Sequence, residues 1–212
     1  MEDKHKVTMK KIMFNDKYGL TAAVLAGTKT QTRRIVPQKA LDAWNDIDDG
    51  DDSRSVYAGS YDAKIRNFLL KYATYKVGEE VAVAQCYEDA ILDVGEEKWN
   101  KRHKWYNINY LCHEKGLHNK MFVRADLMSH QIRIEKVRVE RLQDISDADC
   151  LSEGIIKYAN GVYTYIEGGK KYYHRELDTP QKAYGVLINK INGLGTWMLN
   201  PLVFVYNFKL VK

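Results

Sequence analysis

The sequence predicts an α+β fold built around a closed or nearly closed β-sheet, and the order of its predicted elements is the main reason. A strand, a helix and a polar stretch come first, several strands with helical insertions follow, and a helix and a strand come last. Strands and helices in this order indicate an α+β fold. The 212 residues suffice for one domain with a sizeable core.

Composition and charge are those of an ordinary globular protein. No apolar run approaches the roughly 18 residues that a membrane-spanning helix needs, and the lysine-rich start has no apolar segment of the signal-peptide type. We therefore expect a cytoplasmic protein with no membrane partner. Three scattered cysteines, Cys86, Cys112 and Cys150, are too few for a disulfide framework and are expected to be reduced thiols. The net charge of +5 permits a polyanionic partner without requiring one.

The first half of the chain carries patterns for strands and helices in turn. Residues 7–14 alternate as a strand and end at Asn15, whose side chain can cap a following helix. The Ala-rich residues 18–26 predict a short helix that ends at a left-handed Gly27. The further predictions are a surface helix with an acidic turn at 38–52, an amphipathic helix at 61–72 and a barrel strand after Gly78.

The second half has clear start and stop signals. Residues 132–140 alternate between apolar and charged side chains, with a slip at Lys136 that predicts a β-bulge. Ser146 is the predicted cap of a helix at 147–153, which Gly154 ends. The other predictions are a tyrosine-rich hairpin of strands 162–166 and 171–174, a helix from Thr179-Pro180 to Gly193, and a final strand at 202–211.

Residues 88–104 mix charges with tryptophan and allow two interpretations. Aromatic side chains among cations, here Trp99 and Trp105, can stack on the bases of a nucleic acid. The alternative is an inserted hairpin with half-buried tryptophans, which the lack of a spacing pattern favours. Residues 106–111 alternate as another strand.

A metal site is considered because three potential ligands lie close together in the sequence. These are Cys112, His113 and His118. No Cys-x-x-Cys partner and no fourth ligand accompany them, so we expect no metal.

The most unusual stretch is residues 27–34, which read GTKTQTRR and hold three cations, three hydroxyls, one amide and no large apolar side chain. We interpret it as a loop that faces a polar partner. Arg33 and Arg34 each offer a planar fork of donors and Lys29 a mobile point charge, so the loop can pair with phosphate or carboxylate. The alternative interpretation is a solvated basic turn, since most charge runs are surface.

The stretch resembles the signature loop of ASCH domains, a branch of the PUA-like superfamily, which follows the pattern Gly-x-Lys-x-x-Glu-x-Arg. Gly27, Lys29 and Arg34 match this pattern, and Thr32 stands in place of the Glu. That replacement is shared with small bacterial amidohydrolases that act on 4-acetylcytidine, whose loop reads Gly-x-Lys-Thr-x-Thr-x-Arg. Blocks that resemble longer, largely phage-associated ASCH proteins lie at 75–80, 137–145, 148–154 and 193–201.

The resemblance implies a PUA-like β-barrel with flanking helices, formed as a single domain by residues 1–212. The chain is longer than the small amidohydrolases, so insertions that can cover or rebuild the pocket are expected near 40–73, 88–120 and 155–178. The resemblance also implies a catalytic role for Glu153, which follows a strand and a capped helix as the catalytic Glu of the family does. It implies no cofactor.

An amide hydrolase would use Lys29, Thr32 and Glu153 in one pocket. Thr32 offers a hydroxyl nucleophile, and Lys29 can take its proton once burial or the neighbouring arginines lower the pKa of Lys29. Glu153 would orient Lys29 or shuttle the proton, and Arg34 would hold a developing oxyanion or a phosphate. We therefore predict that Lys29 and Glu153 lie close together at one end of the barrel.

A second class of function uses the same stretch without any reaction. Thr30, Arg33 and Arg34 would then contact the backbone of RNA or DNA, as a non-catalytic binding module. Aromatic side chains would stack on the bases, namely Trp99, Trp105 and Tyr172. A phage accessory protein that binds another protein is a third interpretation. The sequence thus predicts RNA, DNA or a modified nucleoside as the partner.

Overall fold

The computed structural model describes residues 9–48, 58–103, 108–172 and 177–211, and this part of the chain has a mixed α+β fold, as predicted. The strands are β1 (Lys11–Ile12), β2 (Gln31–Ile35), β3 (Glu80–Val83), β4 (Gln131–Arg141), β5 (Ile156–Lys157), β6 (Tyr163–Glu167), β7 (Lys170–Tyr172) and β8 (Leu202–Leu210). The α-helices are α1 (Leu20–Leu25), α2 (Gln38–Asp48), α3 (Ala58–Leu69), α4 (Tyr87–Val94), α5 (Glu96–Arg102), α6 (Ile108–Leu111), α7 (Asp147–Ser152), α8 (Pro180–Asn192) and α9 (Thr196–Leu199).

The described strands form two sheets, and neither closes into a barrel. The larger sheet has the order β1-β3-β4-β8-β2, in which β1 and β3 run parallel and the other neighbours are antiparallel. A barrel requires the two edge strands to pair with each other. Here β1 and β2 lie at opposite edges, so the described residues do not form a closed barrel, whereas the sequence predicted a closed or nearly closed sheet. The smaller sheet is the antiparallel set β5-β6-β7.

The long pair β4–β8 forms the centre of the larger sheet. Its register shifts between Ile134 and Lys136, so the bulge that the sequence predicts is confirmed. Ile132, Ile134 and Val139 are buried on one face of β4, as the alternation of the sequence indicates. On the other side of β8, strand β2 forms an edge of the sheet. This edge strand carries residues 31–34, the second half of the GTKTQTRR stretch.

Two hydrophobic cores meet at β3. Val81 and Val83 point into the main core, whereas Ala82 belongs to a second core beneath α4 and α5. Residues 88–104 were expected to form an inserted hairpin. The structure instead has the helices α4 and α5 between residues 87 and 102. Trp99 is fully buried in the second core, because it is the largest side chain available to fill the space between these helices and β3.

The predicted strand at 106–111 is also wrong where the structure describes it. Residues 108–111 form the short helix α6, and 106–107 lie outside the described residues. Leu111 is buried while Tyr110 is 51 % exposed, so the alternation that predicted a strand does not reflect two faces of a sheet. Parts of other predictions also fall outside the described residues, namely 7–8, the acidic turn at 49–52, Trp105 and 173–174.

Local capping signals are confirmed by the structure. The side chain of Asn15 accepts a hydrogen bond from the backbone N–H of Lys17 and starts a 3-10 turn ahead of α1. The side chains of Ser146 and Thr179 cap α7 and α8 in the same way.

None of the helices in the described part of the chain has the length and apolar character needed to span a membrane.

Candidate functional site

The turn between α1 and β2 fixes the first residues of the site. Gly27 has φ of +72°, a left-handed conformation that favours glycine, and ends the helical segment as predicted. The backbone N–H groups of Thr28 and Lys29 both donate to the carbonyl of Ala23. Two residues later the chain enters β2, so the expected loop is a strand from Gln31 onwards. Pairing with β8 makes this polar stretch part of the sheet.

Lys29 is a buried cation rather than a solvated one. Its side chain is about 1 % exposed, and its Nζ donates to Gln31 O at 2.7 Å, to Glu153 O at 2.8 Å and to Glu153 Oε2 at 2.6 Å. These three acceptors match the three protons of an ammonium group. Burial lowers the pKa of Lys29 from its ordinary value; Glu153 opposes this shift, while Arg34 and Arg33 add to it.

Glu153 is the residue at which α7 ends. Its Oε2 accepts from Lys29 and its Oε1 accepts from Nη1 of Arg33 at 3.1 Å. The negative end of a helix disfavours a carboxylate, and these two cations compensate for that. The prediction that Lys29 and Glu153 lie close together is confirmed, although they are 124 residues apart in the sequence.

Gly154 allows this close approach, because its φ of +104° favours glycine and its missing side chain leaves room for Leu20. A Cβ at this position would lie 3.2 Å from Cδ2 of Leu20 and 3.9 Å from Cδ of Lys29. We expect Gly154→Ala to destabilise the fold by about 1–3 kcal/mol in chemical denaturation.

The matched control for this prediction is Gly193→Ala, whose φ of +106° is close to that of Gly154 and which has no atom within 4 Å of the added Cβ. The difference between the two variants measures the cost of the contact between the added Cβ and Leu20. A loss of stability in Gly154→Ala no larger than that in Gly193→Ala contradicts a role for this contact.

Arg33 is also buried and binds a set of carboxylates. It is 4 % exposed, and its guanidinium contacts Glu140 at 2.5 Å, Asp149 at 3.1 Å and Glu153 at 3.1 Å. Arg138 completes the set by contacting Glu140 at 2.7 Å and Asp149 at 2.6 Å. The charge network thus consists of three carboxylates (Glu140, Asp149, Glu153) and three cations (Lys29, Arg33, Arg138), and each guanidinium links two or more of the carboxylates.

The charge network borders a cavity of about 480 Å³, which is within the size range of small-molecule sites. The cavity is lined by Lys29, Thr32, Arg33, Arg34 and Glu153. Its lining also includes α8 residues Tyr184, Leu187, Ile188 and Ile191, which follow the i, i+3, i+4, i+7 spacing of one helix face. The cavity lining therefore combines charged side chains and a threonine with a mostly apolar helix face.

The remaining predicted site residues differ in their access to this cavity. Thr32 is buried and lines it. Arg34 is half-buried and lines it as well, with its guanidinium 5.8 Å from the centre of the Phe14 ring. Thr30 is exposed and is not part of the lining; its backbone N–H donates to Ser152 O and its carbonyl accepts from Phe208. Thr30 therefore anchors β2 through its backbone.

Several residues of the site were not predicted from the sequence. Arg138 and Glu140 lie on the charged face of β4, so the alternation of that strand was a usable signal. Asp149 is the third residue of the capped helix α7, where a carboxylate is commonly explained by the helix dipole alone. Tyr184 had no signal; burial and the nearby Glu153 raise its pKa well above the ordinary value, so it is a neutral phenol in the cavity wall.

Metal-ligating groups do not cluster in the described residues. No set of three or more His, Cys, Asp or Glu side chains there is arranged to hold a metal ion. His118, which was considered as a ligand, lies 3.0 Å from Glu88 at the surface.

The cavity thus brings together Lys29, Thr32 and Glu153, with Arg34 beside them. Arg33 also touches the cavity, but its guanidinium binds the carboxylates of the charge network. No protein-family model, no curated protein and no solved structure matches the chain.

Proposed function

We propose that the protein is an amide hydrolase that deacylates a modified cytidine. The observation that carries the proposal is a buried lysine with a lowered pKa, hydrogen-bonded to a carboxylate, in a cavity that Thr32 also lines. Buried ionisable groups with shifted pKa values at a cavity are typical of catalytic sites. Lys29, Glu153 and Thr32 supply a proton carrier, its partner and a nucleophile.

The hydrogen bonds of the Lys29 ammonium group determine how the reaction would start. Its Nζ donates to three acceptors, so it has no lone pair to accept a proton at rest. Transfer of one proton to Oε2 of Glu153, 2.6 Å away, makes a neutral amine. That amine then accepts the proton of the Thr32 hydroxyl while the hydroxyl oxygen bonds to the amide carbon.

The remaining steps return each group to its starting state. The nitrogen of the leaving cytidine takes a proton from Nζ of Lys29 as the C–N bond breaks. Water then hydrolyses the ester on Thr32, which releases the acid and restores the hydroxyl. Glu153 finally returns its proton to Lys29, so one amide and one water become one amine and one acid.

Thr32 is a better candidate nucleophile than the buried thiol near the site. Burial raises the pKa of Cys150 to about 12, so its thiolate is scarce near neutral pH. Cys150 also does not line the cavity, whereas Thr32 does.

The resemblance to ASCH domains supports the same residues independently of the geometry. The loop with Lys29 and Thr32 resembles that of the amidohydrolases that act on 4-acetylcytidine, and the block 148–154, which contains Glu153, resembles longer ASCH proteins. We propose that the open five-stranded sheet is a variant of the PUA-like fold, in which Lys29 just before β2, Thr32 within β2 and Glu153 just after α7 line one cavity.

A non-catalytic RNA- or DNA-binding module is less well supported by the same contacts. Trp99 has no exposed surface, so its ring cannot stack on a base of a bound nucleic acid, and that part of the hypothesis is wrong. Trp105 and the side chain of Tyr172 lie outside the described residues. Arg33 is buried against three carboxylates, so a phosphate backbone would have to displace them.

The test is release of free cytidine from acylated substrates by the purified protein. We expect turnover of 4-acetylcytidine or a related N-acylcytidine, measured by chromatography of the nucleoside product, and little or none of an N-acylated adenosine. The matched control protein is Thr30→Val, because Thr30 is exposed and outside the cavity lining. No release from any acylated cytidine by the folded protein would contradict the proposed function.

A further inference from the structure

The cations that line the cavity are unequally compensated. Within the described residues there are five of them: Lys17, Lys29, Arg33, Arg34 and Lys120. Lys29 and Arg33 belong to the charge network described above. Lys17 lies 3.4 Å from Glu167, and Lys120 lies 2.7 Å from Asp16. Four of the five cations therefore have a carboxylate of the protein as partner.

Lys120 is further occupied by neutral acceptors. Its Nζ donates to the carbonyl of Phe14 and to the hydroxyl of Thr21 at 3.2 Å, in addition to its contact with Asp16. Together these account for the three protons of its ammonium group. Lys120 therefore ties residues 119–123 to the cavity rim and has no donor left for a ligand.

Arg34 differs from the other four. In the described part of the chain its guanidinium has no carboxylate partner and donates only to carbonyls, from Nη2 to Met13 O at 2.7 Å and from Nη1 to Arg33 O at 3.3 Å. An arginine has five N–H donors, so these two bonds leave three for a ligand. The Phe14 ring, 5.8 Å from the guanidinium, supports its position at the cavity wall.

An uncompensated guanidinium at the wall of a partly enclosed cavity attracts an anionic group of the ligand. The planar fork of arginine suits phosphate, because two parallel N–H groups can bind two phosphate oxygens. The apolar face of α8, with Leu187 and Ile188, also lines the cavity and offers a surface for the uncharged base. The cavity lining thus includes side chains suited to an amide, to a base and to one phosphate.

We infer that Arg34 is a phosphate subsite, so that the substrate class is an acylated cytidine 5′-monophosphate. The identity of the base rests on the proposed function. The phosphate rests on the free N–H donors of Arg34 at the cavity. One guanidinium with three free donors matches one phosphate group, and the cavity of about 480 Å³ is within the size range of sites for a single nucleotide.

The experiment measures binding without turnover, by calorimetric titration with cytidine and with cytidine 5′-monophosphate, the product of the inferred reaction. We expect wild type to bind the nucleotide about 10- to 100-fold more tightly than the nucleoside, as charge-assisted hydrogen bonds imply. Arg34→Gln should reduce this ratio towards one, and Arg34→Lys should retain part of it. The control variant is Arg133→Gln, whose exposed guanidinium contacts Glu80 outside the cavity.

The outcomes separate this inference from the proposed function. Equal affinity of wild type for cytidine and its monophosphate, or a ratio that survives in Arg34→Gln, overturns the phosphate subsite even if acylated cytidine is hydrolysed. An Arg34-dependent preference for the monophosphate sustains the subsite even if no amide is cleaved. A 5′-phosphorylated RNA trinucleotide is titrated in parallel, and tighter binding of that probe than of the mononucleotide would overturn the single-nucleotide assignment.

Discussion

Thr32→Val and Lys29→Arg are each expected to lower turnover of an acylated cytidine by at least about 100-fold, the lower end of the effect of losing general-base catalysis. Valine has nearly the shape of threonine but lacks the hydroxyl that would attack the amide. Arginine keeps the positive charge of Lys29 but does not release a proton near neutral pH. The measurement is the initial rate of cytidine release under saturating substrate.

The controls distinguish loss of chemistry from loss of structure. Thr30→Val makes the same change two residues earlier in the chain, at an exposed position outside the cavity, and should keep the wild-type rate. Thr32→Ser retains a hydroxyl and should keep measurable activity. Because Lys29 is buried and arginine is larger, the Lys29→Arg protein also needs a thermal unfolding scan and a titration with cytidine. Turnover within tenfold of wild type in both variants would remove both residues from the mechanism.

The sequence predicted those parts of the fold that depend on neighbouring residues. The caps at Ser146 and Thr179, the left-handed Gly27 and the bulge before Lys136 each follow from a few adjacent side chains. The described strands do not close into a barrel, because closure depends on which distant strands pair, and β1 is only two residues long. Short-range patterns contain no information about such pairing.

The site shows the same division. The proximity of Lys29 and Glu153 was predicted from a resemblance alone, because nothing in the spacing of two residues so far apart predicts a contact. The stretch 27–34 was expected to face a polar partner. Lys29 and Arg33 do bind polar partners, but these are carboxylates of the protein itself. The carboxylates around Arg33 belong to β4, to α7 and to Glu153 at the end of α7. A polar stretch can thus be buried wherever the fold supplies opposite charges.

Arg33→Met is expected to destabilise the protein by about 3–5 kcal/mol, the usual cost of removing one partner from a buried ion pair. Methionine fills much of the same space, but Glu140, Asp149 and Glu153 would lose the guanidinium that contacts all three. For a chain of this size that loss corresponds to a fall in Tm of roughly 6–20 °C. Urea denaturation followed by circular dichroism measures the free energy of unfolding.

Arg133→Met is the matched control, because the Arg133–Glu80 pair is exposed, with 48 % and 41 % of the two side chains accessible. Exposed pairs contribute about 0–1 kcal/mol, so this variant should unfold close to wild type. If Arg33→Met were as stable as Arg133→Met, the fold would not need the contacts between Arg33 and its carboxylates. The Arg33 guanidinium of the wild-type protein would then be free to turn towards a ligand, and the phosphate could no longer be assigned to Arg34 alone. A large loss of stability confined to Arg33→Met would instead mean that Arg33 holds the charge network in place, which leaves Arg34 as the guanidinium available to substrate.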